Sequence, residues 1–236
     1  MKHIPNFITL LNLLSGCMAI VQVSNGNLGY ASWFLILALV FDLLDGATAR
    51  LLGAQSAIGK QLDSLADVVS FGVAPGFIMY ALILGVAEDN YMAYAGFLIP
   101  VFAAIRLARF NIDPGQEKEF RGLAAPAAAL MILSIPLALN CKLGGIPWLN
   151  NFYSHPYGLI IIALAMSALM VSPIRLFSLK ISSIYWKHNR GRYILIVFAI
   201  AIFLAYRFAS IPFILILYIL LSLFKLNEKD EAVDKV

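Results

Sequence analysis

The chain has 236 residues, 61% of them hydrophobic and only 13% charged, about half the charged share of a typical soluble domain. That composition excludes a water-soluble globular protein, which would have to expose large apolar patches. A formal net charge of +4 would suit a nucleic-acid binder, but the lysines and arginines lie in short stretches between apolar runs, so no nucleic-acid partner is expected.

Taken in chain order, the uncharged runs are long enough to cross a bilayer, which takes about 20 helical residues. A bilayer also forces helices, because no water is present to satisfy backbone groups. Eight spans are expected, at 5–24, 28–49, 60–86, 90–110, 122–141, 156–174, 192–207 and 210–225. The first begins like a secretory leader, but Asn6, Thr9 and Asn12 interrupt it and no clear cleavage site follows, so it reads as a retained span. Arg207 divides the last apolar stretch, which predicts a tight hairpin of two helices. Placing the N-terminus inside puts all 17 basic residues except Lys142 and Arg207 on the cytoplasmic side, the bias that short loops carry. Both termini are therefore expected in the cytoplasm, and the acidic pair Glu88-Asp89 marks an external loop. Residues 1–174 form the expected membrane domain. Residues 175–236 add a basic loop, two further helices and a short polar tail. Cys17 and Cys141 have neither metal nor disulfide spacing and read as packing residues.

The informative stretch runs from Asp42 to Asp67. Asp42 and Asp45 lie three apart at the end of the second span, and Asp63 and Asp67 lie four apart at the start of the third, so each pair shares a helix face. A short loop makes the two helices antiparallel neighbours, and all four carboxylates reach one depth on the cytoplasmic side. A charge at the centre of a membrane helix costs about 2.5–3.5 kcal/mol on insertion scales, and four like charges repel. Hard divalent cations remove that cost, since Mg²⁺ combines a few carboxylates with substrate phosphates. Four carboxylates suffice for two ions about 3.5–4 Å apart, as in many phosphate-transfer sites. Gly46 and Ala49 leave room for a bulky ligand, Gly59 permits a tight approach of backbone or ligand at the start of the third span, and Arg50 suits a phosphate. Two other readings stand beside this one: structural salt bridges to Arg50 and Lys60, or a cation channel or transporter. Four carboxylates outnumber two cations, which weighs against the salt bridges.

The pattern Asp42-x2-Asp45-Gly46-x2-Ala49-Arg50-x8-Gly59-x3-Asp63-x3-Asp67 resembles the signature of the CDP-alcohol phosphatidyltransferase family. The resemblance implies an all-α integral membrane fold, a six-helix bundle to which two further C-terminal helices are added here. It implies two divalent metal ions, Mg²⁺ or Mn²⁺, held by Asp42, Asp45 and Asp63, with Asp67 as general base and possible ligand. It implies contacts from Gly46, Arg50 and Gly59 to the CDP moiety of CDP-diacylglycerol, with Ser56 near the nucleotide or phosphate. Pro5-Asn6-Phe7-Ile8-Thr9 is similar to the family's opening, where Asn6 and Thr9 approach the cytidine.

Residues Val68 to Pro75, Arg106 to Asn111 and Phe120 to Leu123 look like the members that use serine. Ala124 and Ala125 depart from them, standing where Pro and Ser are usual. The expected partners are CDP-diacylglycerol, L-serine and membrane lipids, with a homodimer as the assembly, and the expected setting is a bacterial or archaeal cell membrane with the site facing the cytoplasm. Another alcohol, such as glycerol 3-phosphate or inositol phosphate, is the alternative acceptor. Arg106 and Arg109, three apart on the fourth span, offer a planar partner for the serine carboxylate, or else reach lipid phosphates. Ser70 and Asn111 are further candidates for the head group.

Overall fold

A computed structural model describes residues 3–54, 56–112, 120–140, 146–176 and 190–223. The charged loop 113–119, most of the basic loop after residue 176 and the polar tail lie outside the described residues. The chain is an all-α integral membrane protein. Helix α1 covers Ile4–Ser24 and α2 covers Leu28–Leu51. Helix α3 (Ala57–Asp67) continues through a π-helical turn at Val68–Val73 into α4 (Ala74–Leu84). A 3-10 segment, Asn90–Phe97, leads into α5 (Leu98–Ile112). Helices α6 (Ala125–Asn140), α7 (Pro147–Tyr153), α8 (Pro156–Val171), α9 (Arg190–Tyr206) and α10 (Ile211–Leu223) complete the chain. The only extended pairing among the described residues is a two-residue antiparallel ladder, β1 (Phe120–Arg121) with β2 (Arg175–Leu176).

Lipid outside the bundle inverts the usual pattern of a surface helix: small and polar side chains turn inward. On α1 the buried residues are Pro5, Thr9, Asn12, Ser15, Gly16, Ala19 and Val23, a stripe at helical spacing. Phe7, Leu10, Leu14 and Val21 face outward. Helix α2 repeats this with Ala31, Ser32, Leu35, Ala38 and Asp45 buried. Inward serines satisfy themselves on the preceding turn, as Ser15 Oγ does on the Leu11 carbonyl at 2.8 Å and Ser32 Oγ on Leu28 at 3.0 Å. Helix α6 is the axis of the bundle, with Ala128, Ala129, Ile132, Leu133 and Ile135 fully enclosed.

Five helices among the described residues are long and apolar enough to cross a membrane, or six if α7 and α8, bent by 85° at their junction, count as one span. The eight-span reading differs at two places. Helix α6 is apolar, and its described part, Ala125–Asn140, has 16 residues, fewer than a lone span needs at 1.5 Å per residue. The two C-terminal spans are one helical run of 33 residues, Gly191–Leu223, interrupted where expected: Arg207 takes a left-handed backbone (φ 48°) and starts a 3-10 turn. The tight hairpin does not form: the 3-10 turn at Arg207–Ser210 carries α9 on into α10 without reversing the chain. Cys17 is exposed on α1 rather than packed inside.

Candidate active site

Helix α1 packs against both α2 and α3, whereas α2 and α3 are not the closely packed antiparallel neighbours expected and approach each other through their carboxylate side chains. Asp42 and Asp45 come from the last turns of α2, Asp63 and Asp67 from α3. Asp45 and Asp67 are buried, at 6% and 8% exposure, and Asp42 and Asp63 are half-buried. One carboxylate oxygen each from Asp42, Asp63 and Asp67 lies within 4.8 Å of the other two, close enough for all three to hold one cation. Asp45 stands outside this group, but its charge acts on Asp42 and Asp63. Other aspartates act on Asp42 and Asp63, and Asp67 faces both those carboxylates and the Arg106 guanidinium. Asp45 Oδ2 and Asp63 Oδ1 are buried without a hydrogen-bond partner. Orphaned buried carboxylate oxygens are costly, and a divalent cation supplies what they lack, so the donor set fits a metal.

Two cavities open on either side of this cluster. The larger, about 510 Å³, is lined by Asn6 and Thr9 of α1, Asp45, Gly46 and Ala49 of α2, and Ser56, Gly59, Lys60 and Asp63 around the start of α3. Ser56 caps α3, its Oγ accepting from the Gly59 N–H at 3.0 Å. Gly59 is tightly packed: a Cβ there would lie 3.0 Å from Asn6 Oδ1 and from Ser56 Oγ, so both side chains would have to shift by a few tenths of an ångström. Arg50 is exposed beside this cavity, with a guanidinium nitrogen 3.5 Å from where a Gly46 Cβ would lie. Six of the predicted substrate contacts, Asn6, Thr9, Gly46, Ala49, Ser56 and Gly59, thus share one wall.

The smaller cavity, about 150 Å³, is lined by Lys60, Asp63, Ser64, Asp67, Arg106, Leu107, Phe110, Asn111, Ala124 and Pro126. It joins α3 to α5 and to the entry of α6. Asn111 Nδ2 donates to Ser64 Oγ at 2.9 Å, tying α5 to α3. The α6 entry is held by the Gly122 N–H on the Ile174 carbonyl at 2.8 Å and the Leu123 N–H on Leu169 at 2.9 Å. Gly122 has φ +73° and a Cβ would strike the Met170 carbonyl, so only glycine fits there. Ala124, where the sequence departs from the serine-using pattern, is part of this cavity's wall.

Only one arginine of the pair enters a cavity. Arg106 lines the small cavity, and its buried Nε has no hydrogen-bond partner. Arg109 is exposed and lines neither cavity, being rotated about 60° from Arg106 around the helix. Ser70 lines neither cavity either: buried in the π-turn, its Oγ donates to the Asn12 carbonyl at 3.0 Å. Three residues at or behind the cavity walls have no place in the sequence reading of the site. Lys60 lines both cavities. Asn12 donates to Asp67 Oδ1 at 3.4 Å; its signal was the Asn6-Thr9-Asn12 spacing. Tyr218 of α10 lies within electrostatic reach of Arg106, and no local pattern announced it.

A helical membrane bundle that buries a carboxylate cluster between a large cavity and a small one suits a membrane-embedded group-transfer enzyme. The chain belongs to the CDP-alcohol phosphatidyltransferase family, whose profile matches residues 2–224. It is 36% identical over 173 residues to the archaetidylserine synthase of Methanothermobacter thermautotrophicus, covering 72% of this chain and 68% of that protein. It is 32% identical over 231 residues to the CDP-diacylglycerol–serine O-phosphatidyltransferase of Mycobacterium leprae, covering 94% and 72%. The enzyme of that name from Methanocaldococcus jannaschii is 34% identical over 160 residues, covering 68% and 71%.

Proposed function

We propose that this protein transfers the phosphatidyl group of CDP-diacylglycerol to the hydroxyl of L-serine, releasing CMP and phosphatidylserine. The observation that carries this reading is the pair of unequal cavities meeting at Asp63 and Lys60, with Asp67 on the smaller one. The relatives named as serine O-phosphatidyltransferases support the acceptor.

The larger cavity takes the CDP head group: Asn6 and Thr9 face the cytidine, Gly46, Ala49 and Gly59 admit it, and Arg50 and Ser56 approach the phosphates. The smaller cavity takes serine, whose carboxylate pairs with Arg106 while Asn111 and Ser64 contact the head group. Asp67 accepts the proton of the serine hydroxyl, whose oxygen attacks the lipid-side phosphorus as that phosphorus–oxygen bond to CMP breaks. Such base assistance is worth about 10²–10⁴-fold. Two divalent ions, Mg²⁺ or Mn²⁺, on Asp42, Asp45, Asp63 and Asp67 would neutralise the diphosphate and the charge on departing CMP. Lys60, shared by both cavities, adds a positive charge where the two substrates meet.

The site faces the cytoplasm of a bacterial or archaeal cell membrane, where CDP-diacylglycerol and serine meet, both termini lie on that side, and the enzyme works as a homodimer. The test is CMP release by purified protein in detergent, with serine, glycerol 3-phosphate or inositol phosphate, and with or without Mg²⁺ or Mn²⁺. Serine- and metal-dependent release with phosphatidylserine as product is expected; equal release with a phosphorylated alcohol overturns serine as the acceptor.

A further inference from the structure

Asn12 is fully buried on α1, in a helix whose outer face meets lipid. Burying an amide costs free energy unless it is hydrogen-bonded, yet Asn12 Oδ1 has no partner. Its one side-chain bond is the 3.4 Å donation from Nδ2 to Asp67 Oδ1. The backbone around it is clamped: Ser70 Oγ, from the π-turn that begins directly after Asp67, donates to the Asn12 carbonyl at 3.0 Å. Gly16, one helical turn on, packs so closely that a Cβ there would lie 2.5 Å from Ser70 Oγ. The extra residue of a π-turn shifts the side chains on either side of it. Here it carries Ser70 to α1 while Asp67 stays on the carboxylate cluster. Two contacts to one residue of α1 thus bracket Asp67, one to its carboxylate and one three residues further along the chain.

We infer that Asn12 is a positioning residue for the transfer reaction: by tying Asp67 Oδ1, it sets which way that carboxylate presents its other oxygen to the acceptor cavity. The inference rests on the proposed role of Asp67 as base. The 3.4 Å separation is long for an N–H to oxygen bond, and such bonds commonly tighten once substrate is bound. Removing a group that orients a reactive ligand typically costs about 10–100-fold. Asn12 lines neither cavity, so its loss acts on turnover and leaves affinity for CDP-diacylglycerol in place.

The experiment is a double-mutant cycle on the full-length protein in detergent, with Asn12→Ala in the natural and Asp67→Glu backgrounds. Readouts are kcat, both KM values and the thermal midpoint. Asn12→Ala is expected to lower kcat about 10–100-fold with KM for CDP-diacylglycerol within about twofold, and to lower it far less when residue 67 has already been changed. Ser15→Ala, which removes a buried hydroxyl bonded only to its own helix, is the control and keeps kcat within about twofold. If Asn12→Ala does not fold, Asn12→Ser carries the same cycle. Equal loss in both backgrounds, or a full kcat in Asn12→Ala, overturns the assignment while leaving the serine reaction intact. A natural protein that releases no CMP with serine overturns the functional reading and this inference together.

Discussion

The two cavities at the carboxylate cluster are built in opposite ways. The larger is walled mostly by small residues within one local stretch, Asp45 to Asp63, closed by Asn6 and Thr9 from the neighbouring helix. The smaller is walled by long side chains, Arg106, Leu107 and Phe110, and draws on α3, α5 and the entry of α6. Room for a nucleotide diphosphate comes from what side chains lack, and a deletion of bulk can be written in a short motif. Selection of a compact amino acid requires charges and hydrogen-bond donors at set positions, and those come from separate helices.

That contrast can be broken most directly where the cavities meet. Asp67→Asn keeps the shape and removes the base, so kcat should fall by about 10²–10⁴-fold in a CMP-release assay, while CDP-diacylglycerol still protects the protein against heat. Chelation by EDTA should also abolish turnover, with Mg²⁺ or Mn²⁺ restoring it. Next in size, Arg106→Met should cut kcat/KM for serine by at least about 30-fold, the equivalent of about 2 kcal/mol for stranding a buried charge partner, with little change in KM for the lipid. Arg109→Met should cost at least about tenfold less on the same measure, since that side chain is exposed. On the other wall, Gly59→Val should reduce kcat/KM for CDP-diacylglycerol about tenfold or more, because sub-ångström displacement of positioning groups is expensive, and leave serine dependence unchanged. Smallest of all, Ser56→Ala removes the cap of α3 and should lower unfolding free energy by about 1 kcal/mol, read as a lower thermal midpoint. If Gly59→Val disturbed serine and Arg106→Met the lipid, the division of labour between the cavities would fail.

The difference between the regions also explains what could be read in advance. Asp42, Asp45, Asp63 and Asp67 were legible because acidic residues inside apolar helices are costly, and their spacing put each pair on one face. The same reasoning over-reached for Arg106 and Arg109: a spacing of three brings two side chains near each other without pointing both into a cavity. Ser70 was read as a ligand and instead holds α1 through the Asn12 carbonyl, a role set by a π-turn that no local propensity announces. Asn12 was noticed only as an interruption of apolarity, since its partner lies 55 residues away in the chain.

By itself the sequence determined that this protein lives in a bilayer and that four carboxylates gather at the end of the second and start of the third span. Those properties follow from composition and from the 3.6-residue helical period, which act over short distances along the chain. Only the tertiary structure decided that three of the four carboxylates come within reach of one cation, that Arg106 rather than Arg109 turns inward, that α6 is the buried axis, and that Asn12 and Tyr218 approach the site. Each of these depends on the rotation and depth at which separate helices pack, and packing is settled by the whole bundle at once.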